Sequence, residues 1–217
     1  MGIIEKKIVL IGSGGHANAI LSALSTNQRK RVIGYVDLHE NSVFSTQVKY
    51  LGTDTQLIKK FSPASIELIL GVSYIGNKVD LRIRKRIINF FTENKYNFLI
   101  AVSPNSYISK EAKIDEGTFI APGVKVISNA KISRFCSINT GAIIEHDVIL
   151  LNNVQISPGV IVCGGVNIGE NTFIGAGAII RDGVSITSDT IIGMGCVVVK
   201  NINESGVYIG NPIKKIG

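Results

Sequence analysis

Ile138-Asn-Thr-Gly-Ala-Ile-Ile144-Glu-His-Asp-Val-Ile-Leu150-Leu-Asn-Asn-Val-Gln-Ile156-Ser-Pro-Gly-Val-Ile-Val162 decides the fold. Every sixth residue is a large aliphatic, and the pattern runs far beyond this stretch. Steps of six from Ile108 to Val198 meet Ile, Leu or Val at all sixteen positions. With about a third of residues of these types, chance gives such a run on the order of 10⁻⁷. Four residues after each aliphatic, from Ala112 to Cys196, the side chain is small or β-branched without exception.

A period of six fits neither a helix nor a plain strand. It fits a triangular coil in which each hexad supplies a short strand and a corner. Residues 18 apart then stack at the sheet spacing of about 4.8 Å. The aliphatic and the smaller fourth residue point inward. Gly and Asn recur at the corners, where tight turns need permissive dihedrals. Sixteen hexads predict about five coils.

The first hundred residues have another grammar. Residues 6–11 read as a buried strand, followed by Gly12-Ser13-Gly14-Gly15-His16-Ala17 and a helix over residues 18–24. The spacing matches GxGxxA, whose glycines let backbone amides approach a phosphate at a helix N-terminus. A strand over residues 31–36 ends at Asp37, where such folds place a ribose-binding acid. Strand 65–70, helix 77–92 and strand 97–102 complete a small parallel sheet with flanking helices. Such a motif is compatible with NAD binding, with a mononucleotide half-fold, or with a tight turn that binds nothing.

Composition narrows the function classes. Of 23 Lys and Arg, 14 lie in residues 1–100 against 7 acids, while residues 101–217 carry 9 of each. No basic stripe interleaved with aromatics accompanies this excess, which argues against nucleic acid and suits phosphorylated small molecules. The cluster Arg82-Ile83-Arg84-Lys85-Arg86 reads as a solvated helix face. No apolar run reaches the roughly 18 residues of a membrane helix, so no membrane insertion is expected. The opening Met1-Gly2-Ile3-Ile4-Glu5-Lys6-Lys7 lacks a signal-peptide cleavage site, which points to the cytoplasm. Cys136, Cys163 and Cys196 have no metal or disulfide spacing and read as small buried thiols.

Joined together, the GxGGH loop and the hexad run resemble the hexapeptide-repeat sugar acetyltransferases. Within these the chain resembles the bacterial UDP-4-amino-sugar N-acetyltransferases of bacillosamine-type pathways and is also similar to the sialic acid O-acetyltransferases. The resemblance implies a Rossmann-like half domain over residues 1–104 that binds the nucleotide-sugar. It implies a left-handed parallel β-helix over residues 105–217 that carries acetyl transfer from acetyl-CoA, with no metal. It also implies a homotrimer with active sites between neighbouring helices. The substrate-binding positions it transfers are Gly14, Gly15, His16, Asp37 and Gly71. A second acid usual in the family is Leu38 here, and a second histidine nine residues after the base is Gln155. Gln155, Ala176 and Met194 are the implied acetyl-CoA contacts, and Lys200, Lys214 and Lys215 read equally as contacts to its phosphates or as solvated lysines of the tail.

Of three histidines, only His146 lies in the hexad run. One imidazole cannot build the multi-histidine zinc site of a carbonic anhydrase relative. Two residues after inward Ile144, it points outward and suits a general base for an amine or hydroxyl nucleophile. Glu145 and Asp147 both flank it. The family order of histidine then acid favours Asp147 as the orienting carboxylate, with Glu145 second. Gly164, 18 residues on, is the expected oxyanion donor. Cys163 is the covalent alternative to direct transfer. The leading expectation is N-acetylation of a 4-amino group on a UDP-linked deoxysugar. O-acetylation of a sugar or sialic acid, and an NAD-binding protein with a β-helical scaffold, are the rivals.

Overall fold

The computed structural model describes residues 5–216. Met1 to Ile4, and with them part of the stretch read for a targeting signal, lie outside the described residues, as does Gly217. The N-terminal unit is built on a parallel sheet of β1 (Lys7–Ile11), β2 (Val32–Val36) and β3 (Ile66–Leu70) in the order β2-β1-β3. Four of the five β1 side chains are buried, as a central strand covered on both faces requires.

Gly12 takes φ +94°, and a Cβ there would stand 2.8 Å from Val72 Cγ2. The chain can therefore turn directly from β1 into α1 (Gly15–Ala23), whose helix starts three residues earlier than its apolar pattern predicts. Gly71 has a packing reason too: a Cβ would lie 2.8 Å from both Ala17 Cβ and the Ile11 carbonyl oxygen. The sheet and α1 meet closely because this side chain is missing.

Three short helices escape the sequence reading: α2 (Thr26–Arg31), α3 (Ser42–Ser45) and α4 (Asp54–Lys60). The first is polar throughout and buries nothing, so no periodicity marks it. Its start is set by Ser25, whose Oγ accepts from the Gln28 amide at 3.2 Å. The long helix α5 (Lys78–Glu93) is capped by Asn77, which accepts from the Asp80 amide at 2.8 Å.

The expected strand over residues 97–102 divides between the two units. Phe98 bridges Leu68 of the first sheet, whereas Ala101–Val102 already pairs with Phe119–Ile120 of the β-helix. From there the chain winds as a triangular parallel β-helix, and each strand pairs with those 18 residues away. Its second face, from Tyr107–Ile108 to Val197–Val198, is six strands deep. Val102 ahead of the run and Ile202 beyond it extend the coil past the five turns predicted, with Ile202 bridging Ile186.

Inward aliphatics from Ile120 to Val198 are buried, as are their fourth-position partners from Thr118 to Cys196. Each buried aliphatic contributes about 1.5–3 kcal/mol, so the stack is the core. Every sixth residue from 117 to 195 has a positive φ, and all but one are Gly, Asn or Asp. The exception is Phe135 at φ 62°, a conformation costly for an aromatic. Contacts between the units hold it: its ring packs edge-on against Phe98 at 5.1 Å.

The N-terminal unit covers the first face of the prism. His16 packs edge-on against Phe119 at 5.6 Å, and Tyr74 against Phe173 at 5.8 Å. Helix α5 sits over the edge between the third face and this covered face. Here the sequence reading is corrected. Arg82, Lys85 and Arg86 are solvated, but Arg84 is fully buried. Its Nε donates to Asn153 Oδ1 at 2.7 Å and an Nη donates to the Phe135 carbonyl at 2.6 Å. The other Nη donates to the Val72 carbonyl.

Candidate active site

His146 follows the second-face strand Ile143–Ile144 and precedes the third-face strand Ile149–Leu150. It therefore sits on the edge where those faces meet, the edge opposite the covered face. Stacking at 18-residue intervals makes this far edge a column of Ser128, His146, Gly164, Asp182 and Lys200. The Gly165 amide donates to the His146 carbonyl and the Gly183 amide to the Gly164 carbonyl, both at 2.9 Å.

The imidazole is 57% exposed, and its Nδ1 lies 2.9 Å from Asp147 Oδ2. Asp147 reaches back because its backbone is left-handed, φ 58°. Asn129, one rung below, helps hold the Asp147 pKa below its ordinary value, after the His146 hydrogen bond that is the largest cause. The Asp147 hydrogen bond is the largest cause holding the His146 pKa above its ordinary value, with Asp147, Glu145 and Asp182 charges adding to it. Among the described residues the Glu145 carboxylate makes no hydrogen bond, while its backbone amide donates to the Val162 carbonyl at 3.0 Å. Burial first, then the Asp182 and Glu145 charges, push the Cys163 thiol up, so it stays protonated and is a poor nucleophile.

Gly164 lies against the imidazole. A Cβ there would stand 2.5 Å from both Cε1 and Nε2 of His146. The ring occupies the space a side chain would take. Among the described residues the Gly164 amide donates to no backbone acceptor. Gly164→Ala is expected to displace the imidazole and lower turnover by about 100-fold. The fold should survive, because Gly164 is not in the left-handed region. Unchanged turnover with an unchanged melting temperature would show that the ring has no need of this gap.

The other sequence-derived positions fall into separate places. Gly14 and Gly15 have nothing within 4 Å of an added Cβ and line a cavity of about 190 Å³ with Ser13, Asn18 and Asn41. Asp37 holds that loop: its Oδ2 accepts from the Ser13 amide at 2.9 Å and from Ser13 Oγ at 2.6 Å. Its Oδ1 accepts from the Leu38 amide at 2.7 Å. Asn41, which sequence reasoning missed, donates to the Ser13 carbonyl at 3.0 Å. Its position before α3 was invisible because that helix has one turn.

His16 projects from the start of α1 onto the covered face. Burial, then the Arg84 charge, lowers its pKa to about 3, so the ring is neutral at physiological pH. Its Nε2 is enclosed without a partner, and so is Oε1 of Gln155 on the same face. Ala176 and the 80%-exposed Met194 stack on the edge between the covered and second faces. Lys200 tops the far edge, and Lys214 lies in the exposed terminal hairpin. One chain thus places the glycine loop and His146 on opposite sides of the prism, with Ala176 and Met194 on a third edge.

Among the described residues no group of three or more His, Cys, Asp or Glu forms a metal-binding cluster, and no helix is long and apolar enough to cross a membrane.

Residues 7–91 match the family described as the PglD N-terminal domain, and residues 165–200 match the bacterial transferase hexapeptide, six repeats. The acetyltransferase domain of PglB from Neisseria gonorrhoeae, solved with acetyl coenzyme A, is 27% identical. That match covers 97% of this chain and 99% of that one, at a TM-score of 0.85. PerB from Caulobacter crescentus, solved with CoA and GDP-perosamine, is 29% identical over 99% of both chains, also at 0.85. WeeI from Acinetobacter baumannii shares the fold at 21% identity, 98% and 100% coverage and a TM-score of 0.80. Fold, edge-borne histidine and these matches together define an acetyltransferase of the hexapeptide-repeat class. Within that class the chain is similar to PglB and PerB over nearly its whole length, and its N-terminal unit matches the PglD N-terminal domain.

Proposed function

We propose that the protein transfers the acetyl group of acetyl-CoA to the 4-amino group of a nucleotide-linked amino-deoxysugar. The observation that carries this reading is the exposed His146–Asp147 pair seated over Gly164. Asp147 keeps the proton on Nδ1, which leaves Nε2 free to accept one. The acceptor sheds one ammonium proton to water and its nitrogen attacks the thioester carbonyl. Nε2 takes the remaining extra proton as the N–C bond forms. The Gly164 amide donates to the carbonyl oxygen while it carries negative charge. The C–S bond then breaks, and the imidazolium proton goes to the departing sulfur, giving the amide and free CoA.

The nucleotide-sugar occupies the cavity at Gly14 and Gly15, with neutral His16 behind it. Because His146 of the same chain lies on the edge opposite the covered face, loop and base meet only when copies of the chain associate. A homotrimer with sites between neighbouring β-helices satisfies this, and it brings Gln155, Ala176 or Met194 of one copy toward His146 of another. UDP is the nucleotide expected from the sequence, and GDP is the second candidate because PerB was solved with GDP-perosamine.

Thiol release from acetyl-CoA should be measured with UDP-, GDP- and dTDP-linked 4-amino sugars and with sialic acid. Turnover is expected with a nucleotide-linked amine alone. Release with sialic acid and none with the amines would overturn the acceptor assignment.

A further inference from the structure

Asp182 is the far-edge residue next above Gly164, and no step so far employs it. We propose that Asp182 receives the positively charged amino group of the acceptor and makes this edge selective for amines over hydroxyl or anionic acceptors. This rests on the amino-sugar reading and names how that acceptor is chosen.

The geometry of the column carries it. The imidazole of His146 rises to the level of Gly164, since its Nε2 lies 2.5 Å from the place of an added Cβ. Asp182 stands one rung higher, about 4.8 Å along the edge. An ammonium held between two partners at about 2.8 Å each spans up to about 5.6 Å, which bridges one rung. Gly164 leaves the floor of that gap clear. Asp182 is exposed, and among the described residues its carboxylate forms no ion pair or hydrogen bond, so it is available to a ligand.

The surrounding charges are mixed. Glu145 and Asp147 flank the imidazole, Lys131 lies near Asp147, Arg181 precedes Asp182 on the second face, and Lys200 stands one rung above. Asp182 nonetheless acts on the site: its charge contributes to raising both His146 and Cys163. A carboxylate here attracts an ammonium and repels an acid such as sialic acid. It also holds the proton on the amine, so its effect belongs in binding more than in turnover.

Asp182→Asn is expected to raise KM for the amino sugar about tenfold with kcat little changed. The competitive Ki of the matching nucleotide-linked 4-hydroxy sugar should stay as in the wild type. The acid limb of kcat/KM should move to lower pH, because removing the negative charge lowers the His146 pKa. Asp182→Glu should recover much of the KM. A KM that does not change, or a KM and Ki that rise together, would overturn the role while leaving amine acetylation intact. If the wild type acetylates no amino sugar, the acceptor reading and this role fall together.

Discussion

Replacing His146 with alanine is expected to reduce thiol release from acetyl-CoA by about 10²–10⁴-fold, the usual contribution of a positioned acid–base group. Nothing else on the far edge can replace it. Cys163 keeps its proton, and a carboxylate is in general a far weaker base than an imidazole. The loss should leave the fold untouched, because the ring is 57% exposed and its partner Asp147 faces water. Light scattering of the variant should give the mass of the wild type, with an unchanged melting temperature. In the wild type, activity should climb with pH through the raised His146 pKa, since the base works neutral. Asp147→Asn removes the largest cause of that elevation and should shift the limb downward. Near-normal turnover in His146→Ala would sink the base assignment.

Arg84→Ala is the substitution expected to damage stability most. Burial lowers the pKa of this guanidinium to about 10, so at neutral pH it remains a cation. Among the described residues it has no carboxylate partner, and its charge rests on Asn153 Oδ1 and two backbone carbonyls. Truncation leaves two buried acceptors and one half-buried acceptor without donors, and a large void between α5 and the β-helix. Each orphaned acceptor costs about 1–3 kcal/mol, and the void adds to this, so a loss of at least about 3 kcal/mol is expected. For a chain of this size that is a fall of roughly 10 °C in Tm. Lysine should not rescue it, because one ammonium cannot reach three divergent acceptors. A melting temperature within two or three degrees of wild type, where about 1 kcal/mol or less is lost, would show that the clasp carries little of the stability.

The hexad run was legible because a solenoid repeats the same local demand at every rung. Inward aliphatic, small partner and permissive corner recur, and from Ile120 to Val198 each aliphatic is buried. Gly164 was legible for the same reason, since a fixed period of 18 converts sequence distance into stacking against His146. Arg84 was not. Its neighbours Arg82, Lys85 and Arg86 are solvated, and helical position alone does not distinguish a basic residue facing water from one facing Asn153. Phe135 hid likewise, an aromatic in a left-handed corner held by Phe98 from another part of the chain. Asp37 is singled out by its place after the second strand, and the structure shows its Oδ2 holding Ser13 of the glycine loop and its Oδ1 accepting from the Leu38 amide.

By itself, then, the sequence determined the β-helix, its rung register and the outward direction of His146, because those follow from short-range periodicity. Only the tertiary structure decided which face of the prism the N-terminal unit covers. It also decided that the glycine loop and His146 lie on opposite sides of one chain. Such placement depends on contacts between residues far apart in sequence, Arg84 with Asn153 and His16 with Phe119, and no local pattern encodes them.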